Sequence, residues 1–167
     1  RLNGTLSEEQ YQTHQRELQQ IPDGIQWVLN HRLSRIQDIA NAHAPIKNWL
    51  FLGRGIYMAI GMEAALKMKE VTYQHAEGMA GGFMKHGTIS LIDKDMFTQV
   101  FVPPASQTDL YESTMSNVEE VKARGGFVVG FHFGAPDSKF NAEVIFPDVP
   151  PLIAPLVQLI GGQLFAY

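Results

Sequence analysis

The chain contains no cysteine in its 167 residues. That excludes disulfides, thiolate nucleophiles and cysteine-ligated metals, and it suits a reducing cytoplasm, the expected compartment. No apolar run is long enough to span a bilayer, and the opening Arg1-Leu2-Asn3-Gly4 lacks the apolar stretch of a signal peptide, so no membrane association is expected. An excess of basic charge is missing too: 13 Lys and Arg stand against 17 Asp and Glu. A net charge of −4 gives no electrostatic reason to bind nucleic acid. His14, His31, His43 and His132 show no metal-ligand spacing with carboxylates and no His-x-x-x-His pattern occurs, so no metal is expected. Internal repeats and low-complexity segments are absent.

What is present is a packed core in outline. With 45% hydrophobic and 18% charged residues, the chain is expected to fold as one domain over residues 1–167. At this size about 70% of the unfolded surface is buried, so no metal or disulfide staple is needed. The chain begins with Arg and ends at Leu164-Phe165-Ala166-Tyr167 inside an apolar helical pattern. The expectation is a piece of something longer.

From Ser7 to about Ala44, Tyr11, Leu18, Ile21, Ile25, Val28, Leu29, Leu33, Ile36 and Ile39 recur at three- and four-residue steps, interrupted by Pro22-Asp23-Gly24. This predicts two helices with a turn between them, forming a helical N-terminal extension over residues 1–45. Ser7, followed by Glu8 and Glu9, is placed to start the first helix and Asp23 to cap the second. Trp49-Leu50-Phe51-Leu52 then ends in Gly53-Arg54-Gly55, followed by a helical pattern from about Tyr57 to Tyr73. A doubly buried strand, a glycine turn and a helix make the βα unit of a parallel sheet. Further strands are predicted at Gln99 to Val102, Phe127 to Phe131 and Val144 to Phe146. A helix from about Asp109 to Arg124 should end at Gly125-Gly126, and a last helix should start near Pro151, with Pro155 in its first turns. The alternation predicts an α/β fold: a three-layer α/β/α sandwich around a parallel sheet of about five strands. Ligands of such sheets sit at the carboxyl ends of the strands. Those ends are Gly53-Arg54-Gly55, Pro103-Pro104-Ala105-Ser106, and the loop from His132 to Asp137.

Gly53, Arg54 and Gly55 are candidates to cradle a phosphate at a helix start, although a tight turn for packing accounts for them equally well. Glu63, Lys67 and Glu70 are spaced four and three apart, which puts Lys67 between two carboxylates on one helix face. Such a face is usually only solvated; its functional reading makes Glu70 a proton shuttle and Lys67 the residue that tunes it. His75 and Glu77 follow that helix. His86, in Lys85-His86-Gly87, is either a capping residue or an acid and base near neutrality. Ser106, Thr108, Ser113 and Thr114 are hydroxyls suited to phosphate or to ordinary caps and turns.

The ordered run Phe51-Leu52-Gly53-Arg54-Gly55, Glu63-Ala64-Ala65-Leu66-Lys67-Met68-Lys69-Glu70-Val71-Thr72-Tyr73, His75-Ala76-Glu77-Gly78, Lys85-His86-Gly87 and Leu91-Ile92-Asp93 decides between these readings. It resembles the second sugar-isomerase (SIS) domain of the glucosamine-6-phosphate synthase family. Asn117 to Gly126 and Ile153-Ala154-Pro155 continue the resemblance over nearly the whole chain. The resemblance implies a flavodoxin-like SIS domain that needs no cofactor. It also implies a first SIS domain and a glutaminase domain in the parent chain, a homodimer, and conversion of fructose 6-phosphate and glutamine to glucosamine 6-phosphate. Glu70 falls at the base that moves a proton between C1 and C2, and His86 at a ring-opening residue contributed by the neighbouring subunit. Glu63 and Lys67 match positions lining the same site. The family's phosphate loop, Schiff-base lysine and glutaminase cysteine are not in this sequence, so the fragment alone is expected to be inactive. Phe83 stands where the family usually has Glu, and Thr88 where it usually has Pro. These departures leave open a glucosamine-6-phosphate deaminase or deglycase, or a non-catalytic sugar-phosphate sensor.

Overall fold

In the computed structural model, residues 4–167 are described. Arg1, Leu2 and Asn3, which belong to the opening stretch and to the 1–167 span read above, lie outside the described residues. Three helices precede the sheet, where the apolar pattern predicts two. Helix α1 (Glu8–Leu18) starts at a capping box: Ser7 Oγ accepts from the Gln10 backbone N–H at 3.1 Å, and Gln10 Oε1 accepts from that of Ser7 at 2.9 Å. Helices α2 (Ile21–His31) and α3 (Leu33–His43) divide at Arg32, whose φ of −124° leaves the helical range. Helix α1 ends at Leu18 and α2 begins at Ile21, so the expected turn falls at Gln19-Gln20, just ahead of Pro22-Asp23-Gly24, and Arg32 makes a second corner. Pro22 lies in the first turn of α2, where its missing N–H costs nothing, and Asp23 lies inside that turn rather than capping it; the N-cap is Gln20.

The strands are β1 (Asn48–Gly53), β2 (His75–Ala80), β3 (Met96–Phe101), β4 (Phe127–Phe133) and β5 (Ala142–Phe146). All pairs are parallel in the order β2-β1-β3-β4-β5, which is the expected flavodoxin-like sandwich. Strand β2 is the one the sequence pattern misses. Its His75-Ala76-Glu77-Gly78-Met79-Ala80 has no β-branched or aromatic residue, so it has weak strand propensity of its own. It becomes an edge strand through parallel pairing with β1, from Asn48 with His75 to Gly53 with Ala80.

Helices α4 (Ile56–Thr72) and α6 (Ala154–Ala166) join α2 and α3 on one side of the sheet; α5 (Thr108–Ala123) and the 3-10 segments Gly81–His86 and Thr88–Leu91 are on the other. The core divides by strand alternation. Trp49, Phe51, Phe97, Phe101, Val129 and Phe131 pack towards α4 and α6, while Leu50, Leu52, Met96, Val100 and Val128 pack towards α5. Both faces of β1 are thus buried, which is why its sequence is a continuous apolar run. Gln158 of α6, fully buried, donates from Nε2 to Val102 O at 2.8 Å and Phe131 O at 2.9 Å, tying the helix to the ends of β3 and β4.

The N-terminal helices cover one edge of the sheet. Arg32 Nε donates to Ile145 O at 2.6 Å and Arg35 Nε to Glu143 O at 3.2 Å, so two carbonyls of edge strand β5 gain donors. The Arg32 guanidinium also lies 4.5 Å from the Trp27 ring centre. This accounts for the helix break, since Arg32 reaches the sheet from the corner between α2 and α3.

His43 closes α3 with its ring edge-on to Phe97 and Phe127, 5.1 and 4.7 Å between centres. Desolvation there lowers its pKa, so the folded state favours neutral imidazole. A lowered folded pKa contributes stability above the unfolded value of about 6.5 that is lost as pH falls through the folded value. His43→Leu should therefore show a smaller drop in melting temperature than the parent between about pH 7.5 and pH 5.5; an equal drop would assign the acid sensitivity elsewhere.

Candidate functional site

Helix α4 carries the densest group of candidate side chains. Its inward residues Tyr57, Ile60, Ala64, Ala65 and Met68 are buried, so helical spacing turns Glu63, Lys67 and Glu70 outward. Lys67 Nζ lies 2.7 Å from Glu70 Oε2 and 3.5 Å from Glu63 Oε1. The hydrogen bond to Glu70 leads the causes that raise the Lys67 pKa, with the charge of Glu63 adding to it, so Lys67 stays an ammonium beyond the ordinary lysine range. Glu70 Oε1 has no protein donor among the described residues, and the Glu70 side chain is 52% exposed. The arrangement is a carboxylate oriented by a fixed cation through one oxygen, with the other presented outward.

His86 is not brought to this group. Because α4 runs back along the sheet, Glu70 sits near its end, beside the start of β2, whereas His86 follows the far end of β2 at the close of the segment Gly81–His86. Six extended residues put about 20 Å between those two ends. His86 is exposed, and the Phe83 ring lies 6.4 Å from it and is 68% exposed.

The Gly53-Arg54-Gly55 turn lies at the carboxyl end of β1, also away from Glu70. A Cβ on Gly53 would collide with the Tyr57 carbonyl, and Gly55 has φ +54°, so both glycines have packing reasons to be there. The backbone N–H groups of Tyr57 and Met58 are already bonded to Arg54 O and Gly55 O. Arg54 turns sideways and donates from Nε to Asn117 Oδ1 at 2.9 Å. Tyr57, fully buried, donates its hydroxyl to Gln107 Oε1 at 2.9 Å, and burial holds the phenol protonated well above its ordinary range.

The hydroxyl cluster disperses. Thr114 is buried and bonded back to Leu110 O at 2.7 Å, Ser106 and Thr108 face solvent, and the N-cap of α5 is Gln107. Sequence reasoning also passes over two polar groupings. His132, at the end of β4, is 4% exposed, lies 2.8 Å from Glu143 Oε2 and stacks on Phe140. Asn117 and Glu120 of α5 join Arg54 to Lys85. Asn117 and Glu120 share a helix face by their spacing of three, but the links from His132 to Glu143, from Arg54 to Asn117 and from Lys85 to Glu120 have no local spacing to betray them. Among the described residues, no three His, Asp or Glu side chains gather as a metal site would need. No helix of the described residues is long and apolar enough to cross a membrane.

Sheet order, the outward triad on α4 and a match of the SIS domain family to residues 44–132 agree, and the chain belongs to that family. More particularly, it is similar to glutamine–fructose-6-phosphate aminotransferase (isomerizing). It is 44% identical over 155 residues to that protein of Methanococcus maripaludis, covering 92% of this chain and 25% of the relative. It is 38% identical over 170 residues to the Thermus thermophilus protein, covering all of this chain and 28% of the relative. The solved C-terminal domain of glucosamine-fructose-6-phosphate aminotransferase from Francisella tularensis matches with a TM-score of 0.91 and 32% identity, over 99% of this chain and 46% of that one. The chain thus spans about a quarter of the length of the curated relatives it matches.

If Glu70 holds the Lys67 ammonium, neutralising it by Glu70→Gln should move the Lys67 pKa down towards the ordinary lysine value, read by NMR titration of the lysine Nζ. An unchanged titration would mean that the pair does not persist in solution.

Proposed function

We propose that this chain supplies half of the sugar-phosphate isomerase site of a glutamine:fructose-6-phosphate aminotransferase, with Glu70 as the base, Lys67 and Glu63 orienting it, and His86 assisting ring opening. The observation that carries this reading is the oriented, outward Glu70 carboxylate on a family helix. In the reaction, fructose 6-phosphate first carries its amine as an imine at C2. Glu70 takes a proton from C1, and the electrons of that C–H bond form C1=C2 while the imine nitrogen accepts the displaced pair. Returning the proton to C2 and moving the O1 proton to the nitrogen leaves an aldehyde at C1 and an amine at C2, which is glucosamine 6-phosphate. The imine supplies the electron sink within this step. A positioned base of this kind is worth roughly 10²–10⁴-fold.

The opposite placement of Glu70 and His86 supports a site shared between two copies, in which His86 of one subunit serves the site of the other. The parent protein is then a homodimer whose first SIS domain supplies the phosphate loop and whose glutaminase domain supplies ammonia. Gly53, Arg54 and Gly55 are further substrate contacts in this reading, beside the packing that accounts for both glycines. Absence of cysteine suits a reducing cytoplasm, the compartment we propose. The isolated fragment should not turn over.

The test uses the full-length parent with fructose 6-phosphate and glutamine. Glu70→Gln should lower glucosamine 6-phosphate formation by roughly 10²–10⁴-fold with little change in melting temperature, because charge is removed without volume. Retained turnover would sink the assignment. Release of ammonia from glucosamine 6-phosphate without a response to glutamine would mean a deaminase instead.

A further inference from the structure

The segment that ends in His86 is short, made of 3-10 turns, and opens with Gly81-Gly82. Little in its own sequence fixes where His86 points. Only Gly81 and Met84 within it are buried; Gly82, Phe83, Lys85 and His86 are all exposed. Met84, fully buried in the core beside α5, seats the segment, and its end is tied by Lys85 to a chain of polar contacts that runs through α5 to the β1 turn. Arg54 Nε donates to Asn117 Oδ1 at 2.9 Å, and Asn117 Nδ2 donates to Glu120 Oε2 at 3.2 Å. Glu120 Oε1 in turn meets Lys85 Nζ at 2.8 Å and Ser116 Oγ at 3.2 Å. Asn117 is 1% exposed, so its amide is held rather than free to turn.

The segment is packed as well as bonded. A Cβ on Gly81 would strike Asn117 Oδ1, and one on Gly82 would come within 3.5 Å of the Arg54 guanidinium. Gly81 thus lets the backbone lie directly on Asn117, while at Gly82 a side chain would make only ordinary contact with Arg54. Burial raises the Glu120 carboxyl pKa, but the hydrogen bonds from Lys85, Asn117 and Ser116 and the charge of Lys85 outweigh it and hold the group below the ordinary carboxylate range. Glu120 is therefore ionised at neutral pH, and its ion-pair partner Lys85 is the residue next to His86.

We propose that Glu120, with Asn117 and Arg54 behind it, is a positioning residue for His86: the Glu120–Lys85 ion pair fixes the end of the 3-10 segment so that the imidazole is presented to the sugar ring. The proposal rests on the ring-opening reading of His86. It treats the region of Arg54 as a support for His86 rather than as a phosphate cradle. Removing the anchor should lower the fraction of time His86 is correctly placed, and so slow ring opening without touching the proton transfer at Glu70.

Two substrates of the full-length parent separate these steps. Fructose 6-phosphate closes its furanose ring through O5, whereas 5-deoxyfructose 6-phosphate lacks that hydroxyl and stays open. Glu120→Gln keeps volume and removes charge, and Lys85→Met removes the other half of the pair from a side chain that is 60% exposed, so loss of folding is not expected from the second variant. Each should lower kcat/KM for fructose 6-phosphate about 5- to 20-fold, which is about 1–1.8 kcal/mol. Neither should alter kcat/KM for the 5-deoxy sugar. In a His86→Ala background the same substitutions should have no further effect on either sugar. Equal losses on both sugars, no loss on either, or full additivity with His86→Ala would overturn the proposal. The His86→Ala single variant tests the underlying reading by itself: if it slows both sugars alike, the ring-opening role fails and the positioning role goes with it, whereas a loss confined to fructose 6-phosphate keeps the reading and leaves the Glu120 and Lys85 variants to decide.

Discussion

A helix that joins two parallel strands must run back along them, and this constraint sets where every candidate group in the chain can act. Helix α4 starts at the carboxyl end of β1 and finishes beside the start of β2, so the residues of its last turns belong to the opposite end of the sheet from the β1 turn. Glu70 therefore lies at the end of the sheet where β2 starts, while the segment that leads to His86 packs on Arg54 and Asn117 at the other end. One domain thus presents two separate chemical surfaces. An acid–base reaction that uses both needs a second copy or a second domain to bring them to one substrate.

The interior strand β1 makes that constraint rigid. Trp49, Leu50, Phe51 and Leu52 are each at most 2% exposed, so β1 is locked between two apolar layers. Its end at Gly53 lets the Tyr57 carbonyl lie against the strand backbone, which fixes the direction in which α4 leaves. Inward packing of Ala64, Ala65 and Met68 then fixes the rotation of the helix. Glu63, Lys67 and Glu70 are turned outward as a consequence, and no residue of the triad has to be held by the loop regions. The 3-10 segment is the reverse case: Met84 alone among its side chains enters the core, and its exposed end is tied by Lys85 to a helix more than thirty residues away in sequence.

Periodicity and composition alone determined much of this. The doubly buried strand at 49–52, the long helix after it, the parallel sandwich, and the common face of Glu63, Lys67 and Glu70 all follow from local rules, because strand burial and helical spacing repeat over a few residues. The family resemblance gave Glu70 and His86 their expected roles through the order of motifs. Local rules failed where a long-range contact outweighed them. The turn expected at Pro22-Asp23-Gly24 lies at Gln19-Gln20, and the second corner, which no local signal marks, is at Arg32, whose partner is the carbonyl of Ile145. Strand β2 has almost no propensity and exists because β1 offers it a ladder.

Only the tertiary structure decided which candidate groups meet. It joined Lys67 to Glu70, a pair the spacing anticipates, but also Arg54 to Asn117, 63 positions apart, and Lys85 to Glu120, which no spacing anticipates. It also kept Glu70 and His86 at opposite ends of the sheet although only 16 positions separate them in sequence. The physical reason is that sequence spacing fixes direction only within one helix or strand. Proximity between elements depends on strand order and on which face of the sheet each connection covers, and those are set by burying the whole apolar surface at once.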